Sequence, residues 1–159
     1  MSKVLSGKTV LITGGTGSIG SSVVNAALAQ GAKKVIVFSR DEIKHFVMKR
    51  RILDKRLETV VGDVRDEKSA EQPFRDAIDV IYHAAAMKHV VMCEEFPMEA
   101  VKTNILGTQN IVDLALKYRV PRMITISTDK AVDPANLMGA TKYIAERLTL
   151  NGNTLSKSE

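Results

Sequence analysis

The stretch Thr13-Gly14-Gly15-Thr16-Gly17-Ser18-Ile19-Gly20 decides the fold of this chain. It follows the apolar run 9–12 and leads into a helical pattern over 18–30. In such a strand–turn–helix unit, glycines permit a tight turn, close backbone approach to a pyrophosphate and close helix–strand packing. The helix N-terminus offers unpaired N–H groups and partial positive charge to the anion. An ordinary tight turn would also use glycines, but this context predicts dinucleotide contacts at Gly14, Thr16, Gly17, Ser18, Ile19 and Gly20.

Short apolar runs alternate with helical patterns along the chain, which is typical of a parallel sheet covered by helices on both faces. The runs are rich in Val and Ile, as fully buried strands are. Predicted strands lie at 9–13, 34–39, 58–62, 80–83 and 122–127. Predicted helices lie near 18–30, 42–57, 67–78 (interrupted at Pro73), 97–118 and 137–150. The expected fold class is α/β, a Rossmann-like doubly wound parallel sheet of about five strands in three αβα layers.

The length of 159 residues predicts a single domain. We assign residues 1–150 to a dinucleotide-binding Rossmann domain and residues 151–159 to a polar tail. A doubly wound sheet usually has a sixth strand, so the chain is expected to be truncated before it, with the fifth strand as an open edge. A substrate-binding part is expected to be absent.

Composition indicates a soluble protein. Hydrophobic residues make up 45% of the chain, the mean hydropathy is -0.03, and no apolar run approaches the ~20 residues that span a bilayer. The N-terminus does not resemble a signal peptide. A single cysteine, Cys93, excludes an internal disulfide and fits a reducing compartment. These features predict a cytoplasmic protein without a membrane partner.

The net charge of +5 raises the question of nucleic-acid binding. Basic residues are spread along the helical patterns, and only residues 44–56 are dense in them. Aromatic residues, which would stack on bases, make up 4% of the chain. A solvated helix face near an anionic cofactor is therefore expected instead of a nucleic-acid partner.

The end of the second predicted strand should meet the adenosine ribose. It reads Phe38-Ser39-Arg40-Asp41-Glu42. Ser39 and Arg40 can bind a 2′-phosphate, and the Arg guanidinium offers a bidentate fork. NADP is therefore the expected cofactor. NAD stays possible, because Asp41 could accept from a 2′-hydroxyl or simply cap the next helix.

The third and fourth predicted strands also end in residues suited to the cofactor. Asp63 could accept from the adenine amino group or serve as a turn aspartate. The small residues after His83 let the backbone lie close to the nicotinamide ribose, whereas His83 itself is expected to be structural. The further predicted cofactor contacts are Asp63, Val64, Ala84, Ala85, Ala86 and Lys88.

The fifth predicted strand ends in Ser127-Thr128-Asp129-Lys130. Open α/β sheets bind their ligands at the carboxyl ends of their strands, and these polar groups could orient a hydroxyl, supply a proton and remove one. On the next helix, Lys142 lies about one turn from Met138, on the same face. We predict Thr128, Asp129, Lys130 and Lys142 as catalytic residues and no metal site.

These motifs together resemble the extended short-chain dehydrogenase/reductase superfamily, and within it the C5-inverting UDP-N-acetylglucosamine 4,6-dehydratase branch of polysaccharide-biosynthesis proteins. The resemblance runs from about Lys8 to Leu150. Besides the stretches quoted above, it rests on residues 62–66, 83–90, 99–105, 127–131 and 136–142. Thr128-Asp129-Lys130 is its specific part, since retaining nucleotide-sugar dehydratases typically carry Thr-Asp-Glu there and epimerases lack the acid/base pair.

The resemblance implies a redox-neutral dehydration of a UDP-sugar. Thr128 would hold the C4 hydroxyl, Asp129 would protonate the departing C6 hydroxyl and Lys130 would remove the C5 proton. Lys142 would bind the nicotinamide ribose and lower a neighbouring pKa. Asn104 matches the superfamily's helix asparagine, a predicted cofactor contact that could instead serve helix packing. A homo-oligomer through the fourth and fifth predicted helices is also implied.

Met138 is a departure from the superfamily, which usually has a tyrosine base at this position. Methionine cannot carry a proton, so an ordinary reductase is disfavoured, whereas some members of the dehydratase branch also carry methionine here. Two alternatives stay open. One is a dinucleotide-binding module without activity of its own, and the other is a nucleotide-sugar epimerase or reductase.

Overall fold

The computed structural model describes residues 3–156, which contain one five-stranded parallel sheet in the order β3-β2-β1-β4-β5. The strands are β1 (Thr9–Thr13), β2 (Lys34–Ser39), β3 (Leu57–Val61), β4 (Val80–His83) and β5 (Arg122–Thr125). The α-helices are α1 (Ser18–Ala29), α2 (Glu42–Arg51), α3 (Glu67–Glu71), α4 (Val90–Glu95), α5 (Pro97–Ala100), α6 (Gly107–Lys117) and α7 (Leu137–Ser156). The expected doubly wound parallel sheet is confirmed.

The two faces of the sheet build separate apolar layers, because neighbouring side chains along a strand point to opposite faces. On one face, Val10 and Val35 pack with α1 and with Met48 of α2. On the other, Leu11 and Ile36 pack with α6 and with Ala70 of α3. Burial on both faces explains why these strands are apolar without alternation, and it gives the expected three-layer αβα arrangement.

The strand register brings the functional segments to one edge of the sheet. Thr13 at the end of β1 lies opposite both Phe38 of β2 and His83 of β4. His83 in turn lies opposite Thr125 of β5. Because all the strands are parallel, the loops that follow them gather at this carboxyl edge.

Several element bounds differ from the sequence-based expectation. The second helix ends at Arg51, since Ile52 is extended and the Asp54 carboxylate accepts hydrogen bonds from the Arg56 backbone and guanidinium to form a turn. β5 ends at Thr125, two residues early. Helix α4 is additional to the expected elements.

Residues 151–156, the described part of the expected polar tail, continue α7. Gly152 is buried, and a Cβ atom there would lie 3.1 Å from the Val112 side chain, so the helix packs against α6 beyond its apolar portion. Residues 157–159 lie outside the described part of the chain. The assignment of residues 1–150 as the dinucleotide-binding domain stays a prediction.

The fourth expected helix is continuous but not uniformly α-helical. Helices α5 and α6 are joined by a π-helical stretch, Val101–Leu106, whose flanking residues keep right-handed helical torsions. π-helical turns frequently occur at functional sites. This one contains Thr103 and Asn104, and both are buried.

Within residues 3–156, no helix combines the length and the hydropathy that a bilayer crossing requires. In the same part of the chain, no cluster of three His, Cys, Asp or Glu side chains offers a metal site.

A matched pair of substitutions tests the layered core. Ile36 is fully buried in β2, whereas Ile43 on α2 is 69% exposed. Ile36→Ala leaves a cavity in the core and should lower the free energy of unfolding by about 2–5 kcal/mol. Ile43→Ala should change it by less than about 0.5 kcal/mol. Urea unfolding followed by circular dichroism measures both, and equal effects would contradict the layer assignment.

Candidate active site

A cavity of about 300 Å³ opens at the carboxyl edge of the sheet. The loops after β1, β2, β3 and β4 contribute to its wall. Apart from Asn104 and Lys142, every residue predicted to bind the cofactor lines it. The structure thus brings together four segments that are far apart in the sequence.

The glycine turn allows two backbones to approach each other. Gly14 has a φ of 66°, in the region that favours glycine. A Cβ atom on Gly14 would lie 2.6 Å from the Ala85 nitrogen and 2.7 Å from the Ala84 carbonyl carbon. The loop after β4 can therefore close this side of the cavity only because residue 14 has no side chain.

The start of α1 is suited to an anion. Its N-cap is Gly17, no side chain caps the first turn, and the first turn contains no acidic residue. The first N–H groups of a helix lack intrahelical partners and carry partial positive charge. Because Gly17 and Ser18 both line the cavity, a diphosphate fits here.

Thr103 supplies a second sign that the cavity suits a ligand. Its hydroxyl is buried and has no hydrogen-bond partner among the described residues, although Thr103 lines the cavity. Buried polar groups normally have a partner, so a ligand group is suited to this position. Sequence reasoning missed this residue, since a threonine within a helical pattern carries no signal of its own. The other lining residues that were not predicted are Phe38, Asp41, Lys44 and Gly62.

At the expected adenosine end, Ser39 links the glycine turn to α2. Its hydroxyl lies 2.8 Å from the Thr16 hydroxyl and 2.8 Å from His45 Nε2. Asp41 is the N-cap of α2 and accepts from the Lys44 backbone at 3.0 Å. This backbone hydrogen bond lowers the pKa of Asp41. Of the two roles open to Asp41, the structure therefore shows the helix cap.

Asp63 is held by Arg65. Its carboxylate accepts from the Arg65 backbone at 3.0 Å and from the guanidinium at 2.7 Å, and Arg40 lies 3.7 Å away. Burial opposes ionisation of Asp63, but the Arg65 hydrogen bonds and the Arg40 charge outweigh it and lower the pKa of Asp63. Arg65 also pairs with Glu99, which ties this wall of the cavity to α5.

His83 lies at the centre of a buried chain of hydrogen bonds. Thr108 donates to the Asn104 carbonyl at 2.6 Å, so its oxygen accepts from His83 Nε2–H at 3.0 Å. Nδ1 is then the acceptor from the Thr13 hydroxyl, at 2.6 Å. Burial, together with the charge of Lys142, lowers the pKa of His83 to about 3. A neutral, fully bonded imidazole agrees with the structural role expected for this residue.

Asn104 does not line the cavity, and its expected cofactor contact stays a prediction. Its buried side chain accepts from the Met87 backbone at 2.7 Å and donates to the Met87 carbonyl and to Thr141, each at 3.0 Å. Both amide hydrogens are therefore used within the protein. Asn104 braces the loop after β4 against α7, so it supports the cavity wall from behind.

Lys142 also lies away from the cavity wall. It is buried, and its Nζ donates to the Ile126 carbonyl at 2.5 Å, just beyond the end of β5. Burial lowers the pKa of Lys142, although the charge of Glu146 partly offsets this effect. Its expected contact with the nicotinamide ribose stays a prediction.

Thr128, Asp129 and Lys130 form one cluster beyond the end of β5. The Thr128 hydroxyl donates to Asp129 Oδ1 at 2.9 Å, and Lys130 Nζ lies 3.4 Å from the same oxygen. The hydrogen bond from Thr128, followed by the charge of Lys130, lowers the pKa of Asp129. The Asp129 side chain is 85% exposed, so the cluster is open to a substrate.

Gly139 allows this cluster to lie directly on α7. A Cβ atom at residue 139 would overlap the Lys130 carbonyl oxygen. Met138, the residue before it, is buried against Cys93 and Ala100. A proton-carrying side chain is therefore missing at residue 138, whereas Asp129 and Lys130 form an exposed carboxylate–ammonium pair at this end of the sheet.

Comparisons with known proteins agree with this arrangement. The family model described as "Polysaccharide biosynthesis protein" matches residues 10–159. The chain is 47% identical over 146 residues to an uncharacterized membrane protein of Methanocaldococcus jannaschii. It is 42% identical over 154 residues to the inverting UDP-N-acetylglucosamine 4,6-dehydratase of Campylobacter jejuni, and 41% identical over 147 residues to a UDP-glucose 4-epimerase of Rickettsia canadensis. These matches cover 92%, 96% and 90% of this chain, but 44%, 46% and 43% of the relatives.

Solved structures also match most of this chain but only about half of their own length. Pen from Bacillus thuringiensis is 40% identical, with a TM-score of 0.93 over 98% of this chain and 48% of that chain. The dTDP-glucose 4,6-dehydratase of Streptomyces venezuelae, solved with NAD, is 27% identical, with a TM-score of 0.79 over 88% of this chain and 50% of that chain. The chain spans about half the length of the relatives that it matches.

The buried His83 predicts a pH-dependent stability. Its pKa is about 3 in the folded protein and about 6.5 unfolded, so the unfolded state binds the extra proton. The contribution of the neutral His83 to the free energy of unfolding is therefore fully present above about pH 6.5 and is lost progressively as the pH falls. Between pH 7 and pH 5 the free energy of unfolding should fall by about 2 kcal/mol.

Urea unfolding of the wild type, of His83→Asn and of His89→Asn measures this effect. His83→Asn should be less stable at pH 7 but should lose most of the pH dependence in this range. The exposed His89 provides the matched control and should keep it. A wild-type profile that is flat between pH 7 and pH 5 would contradict the assignment.

Proposed function

The chain belongs to the polysaccharide biosynthesis protein family, and on this premise we propose that it forms the cofactor-binding and catalytic half of a nucleotide-sugar 4,6-dehydratase. Its substrate would be UDP-N-acetylglucosamine, and its product would serve surface polysaccharide synthesis. The observation that carries the proposal is the open Thr128–Asp129–Lys130 cluster at the end of β5. The Campylobacter jejuni relative, at 42% identity, supports this choice of reaction.

The cofactor would lie along the carboxyl edge of the sheet. Its diphosphate would bind at the start of α1 near Gly17 and Ser18, and the Thr103 hydroxyl would gain its missing partner. When bound, the dinucleotide supplies an acceptor for the hydrogen and electron pair at sugar C4 and later returns them to C6. The reaction is therefore redox-neutral overall.

We propose NADP over NAD as the cofactor of this chain. Asp41 is occupied as the N-cap of α2, which leaves it poorly suited to accept from a ribose 2′-hydroxyl. Arg40 lines the cavity beside Ser39 and keeps a 55% exposed side chain. A guanidinium and a hydroxyl at this position suit a 2′-phosphate. Related structures contain NAD, so NAD binding is the alternative.

The Asp129–Lys130 pair has the right number of protons for an elimination. At neutral pH, a carboxylate and an ammonium hold one transferable proton between them, and their polar atoms lie 3.4 Å apart. Moving that proton from Lys130 to Asp129 creates a neutral amine base and a carboxylic acid. The amine then removes the C5 proton and the acid protonates the departing C6 hydroxyl. The pair returns to its starting charges as water leaves.

Substrate binding would favour this proton transfer. The largest cause of the lowered Asp129 pKa is the hydrogen bond from Thr128. If Thr128 turns its hydroxyl to the sugar C4 hydroxyl, Asp129 loses that hydrogen bond and becomes easier to protonate. A sugar ring covering the exposed pair would also remove water, which disfavours separated charges.

Lys142 would act beside this pair without moving a proton itself. Its Nζ is held at the end of β5 by the Ile126 carbonyl. From there an ammonium could hydrogen-bond the ribose hydroxyls of the nicotinamide end.

Two other functions are the alternatives. The epimerase relative, at 41% identity, favours an isomerase, but the buried Met138 cannot carry a proton at its position. A dinucleotide-binding module without activity is the second alternative, since the chain spans about half of its relatives. Product formation distinguishes the three, because only the dehydratase releases water and forms a 4-keto-6-deoxy sugar.

We also propose a homo-oligomer and a cytoplasmic location. Helices α4 to α7 expose apolar side chains that a second copy could cover: Val91, Met92, Met98, Leu106, Tyr143 and Ile144. Burying such side chains is the usual source of affinity in a homodimer. Light scattering at micromolar concentration should give a dimer mass, and a monomer mass would contradict the oligomer.

The cofactor preference can be tested at Arg40. Arg40→Ala removes the guanidinium proposed for the 2′-phosphate, so NADP should bind about tenfold to a hundredfold more weakly. NAD affinity should change little. Calorimetry with both dinucleotides measures the ratio, and Arg75→Ala, at a distant exposed arginine, is the control. An equal loss of affinity for both dinucleotides would show that Arg40 does not distinguish a 2′-phosphate from a 2′-hydroxyl.

The dehydratase proposal can be tested at Lys130. In deuterium oxide, the purified chain with NADP should convert UDP-N-acetylglucosamine to a 4-keto-6-deoxy product that carries deuterium at C5. Lys130→Ala should slow this about a hundredfold or more, because the base is lost, while the exposed Lys68→Ala should not. Mass spectrometry follows both. Unchanged deuterium incorporation in Lys130→Ala would refute the assignment of Lys130 as the base. Cofactor binding by the wild-type chain without any product would favour the dinucleotide-binding module without activity.

A further inference from the structure

Helix α2 exposes an apolar stripe that the proposed reaction does not use. Ile43, Phe46 and Val47 are 69%, 61% and 55% exposed, and Leu53, just after the helix, is 90% exposed. The spacing of the first three places them on one side of the helix. His45 and Met48 are buried on the opposite side. The stripe is therefore the outer surface of a helix that is already docked on the sheet.

The same surface is strongly basic. Four cations accompany the stripe: Lys49, Arg50, Arg51 and Lys55. Among residues 3–156, none of the four belongs to an ion pair. Arg50 instead lies 5.7 Å from the centre of the Phe46 ring. The segment 43–53 contains no acidic residue, so the positive charge is not balanced locally.

A neighbouring cavity extends this positive charge. Lys33, Lys49 and Lys55 line a cavity of about 520 Å³ near the amino ends of β1, β2 and β3. Its two acidic residues, Glu58 and Asp76, each lie 2.6 Å from Lys34. The three other lysines therefore keep their charge available to an external anion.

The position of this surface separates it from the rest of the machinery. α2 precedes β3, which lies at one edge of the sheet, whereas the Thr128–Asp129–Lys130 cluster follows β5 at the other edge. The lysine-lined cavity lies at the amino ends of the strands, opposite the cofactor cavity at their carboxyl ends. Asp41 and Lys44 at the start of α2 line the cofactor cavity, but Ile43, Phe46, Val47 and Leu53 do not.

We propose that the outer face of α2 docks on an anionic lipid surface. Exposed apolar and aromatic side chains beside Lys and Arg match the two attractions of an anionic membrane interface, which are burial of apolar surface and attraction to lipid phosphates. The cations would meet lipid phosphates, and Phe46, Val47 and Leu53 would enter the acyl boundary. A second copy would bring like charges together, and a nucleic acid would leave the aliphatic side chains in water. Surface docking needs no spanning segment, and this proposal replaces the expectation from composition that the chain has no membrane partner.

The test is co-sedimentation of the purified chain with vesicles. One set contains phosphatidylcholine alone, and the other contains about equal amounts of phosphatidylcholine and phosphatidylglycerol. The chain should bind only the anionic vesicles, and binding should fall sharply between about 0.05 M and about 0.5 M salt. Phe46→Ser removes the aromatic contact, and the double variant Lys49→Gln/Arg51→Gln removes two cations. Each should weaken binding about tenfold or more.

The control is Lys68→Gln/Arg75→Gln, which removes the same charge near α3 on the opposite face of the sheet. It should weaken binding much less than the α2 variants, and circular dichroism should show all variants folded, since every altered side chain is exposed. Failure to bind anionic vesicles at low salt overturns the proposal. So does an equal effect of the control, which indicates net charge alone. Equally tight DNA binding that ignores Phe46→Ser, or self-association that Phe46→Ser abolishes, overturns it in favour of a different partner.

Discussion

The contact between Gly14 and the backbone of Ala84 and Ala85 is the constraint on which the rest of the site depends. With a φ of 66° and no side chain, Gly14 lets the loops after β1 and β4 touch. A Cβ atom at 2.6 Å from a backbone nitrogen could be relieved only by separating the two strands at their carboxyl ends. The same contact sets the distance between the start of α1 and the loop that would face the nicotinamide.

A buried polar chain stabilises this geometry from behind. It runs from Thr13 through His83 and Thr108 to the Asn104 carbonyl, and the Asn104 side chain continues it to the loop after β4 and to α7. Every donor in this chain has one acceptor only when His83 is neutral, so the network fixes the tautomer as well as the fold. The π-helical stretch Val101–Leu106 contributes to this network, because its Asn104 bonds the loop after β4 while its Thr103 lines the cavity.

The proposed chemistry contrasts with this rigid support, because its groups are exposed. Asp129 and Lys130 form an exposed pair beyond the end of β5, where a bound substrate could cover them. Lys142, by contrast, is fixed by the Ile126 carbonyl and is buried. Near the other edge of the sheet, the outer face of α2 carries charged and apolar side chains that line neither the cofactor cavity nor the Asp129–Lys130 pair.

The sequence by itself determined the order of strands and helices and most of the cavity wall. Parallel strands that are buried on both faces appear in the sequence as continuous Val and Ile runs. The glycine turn after the first strand and the ends of the following strands mark the edge of the sheet where a dinucleotide binds. Tertiary structure alone decided which polar side chains still had a free hydrogen-bonding group. Asn104 and Thr103 are adjacent in sequence and equally polar, yet Asn104 is satisfied inside the protein and Thr103 is not. Likewise, the helical state of residues 151–156 depends on packing against α6, which the local sequence does not specify.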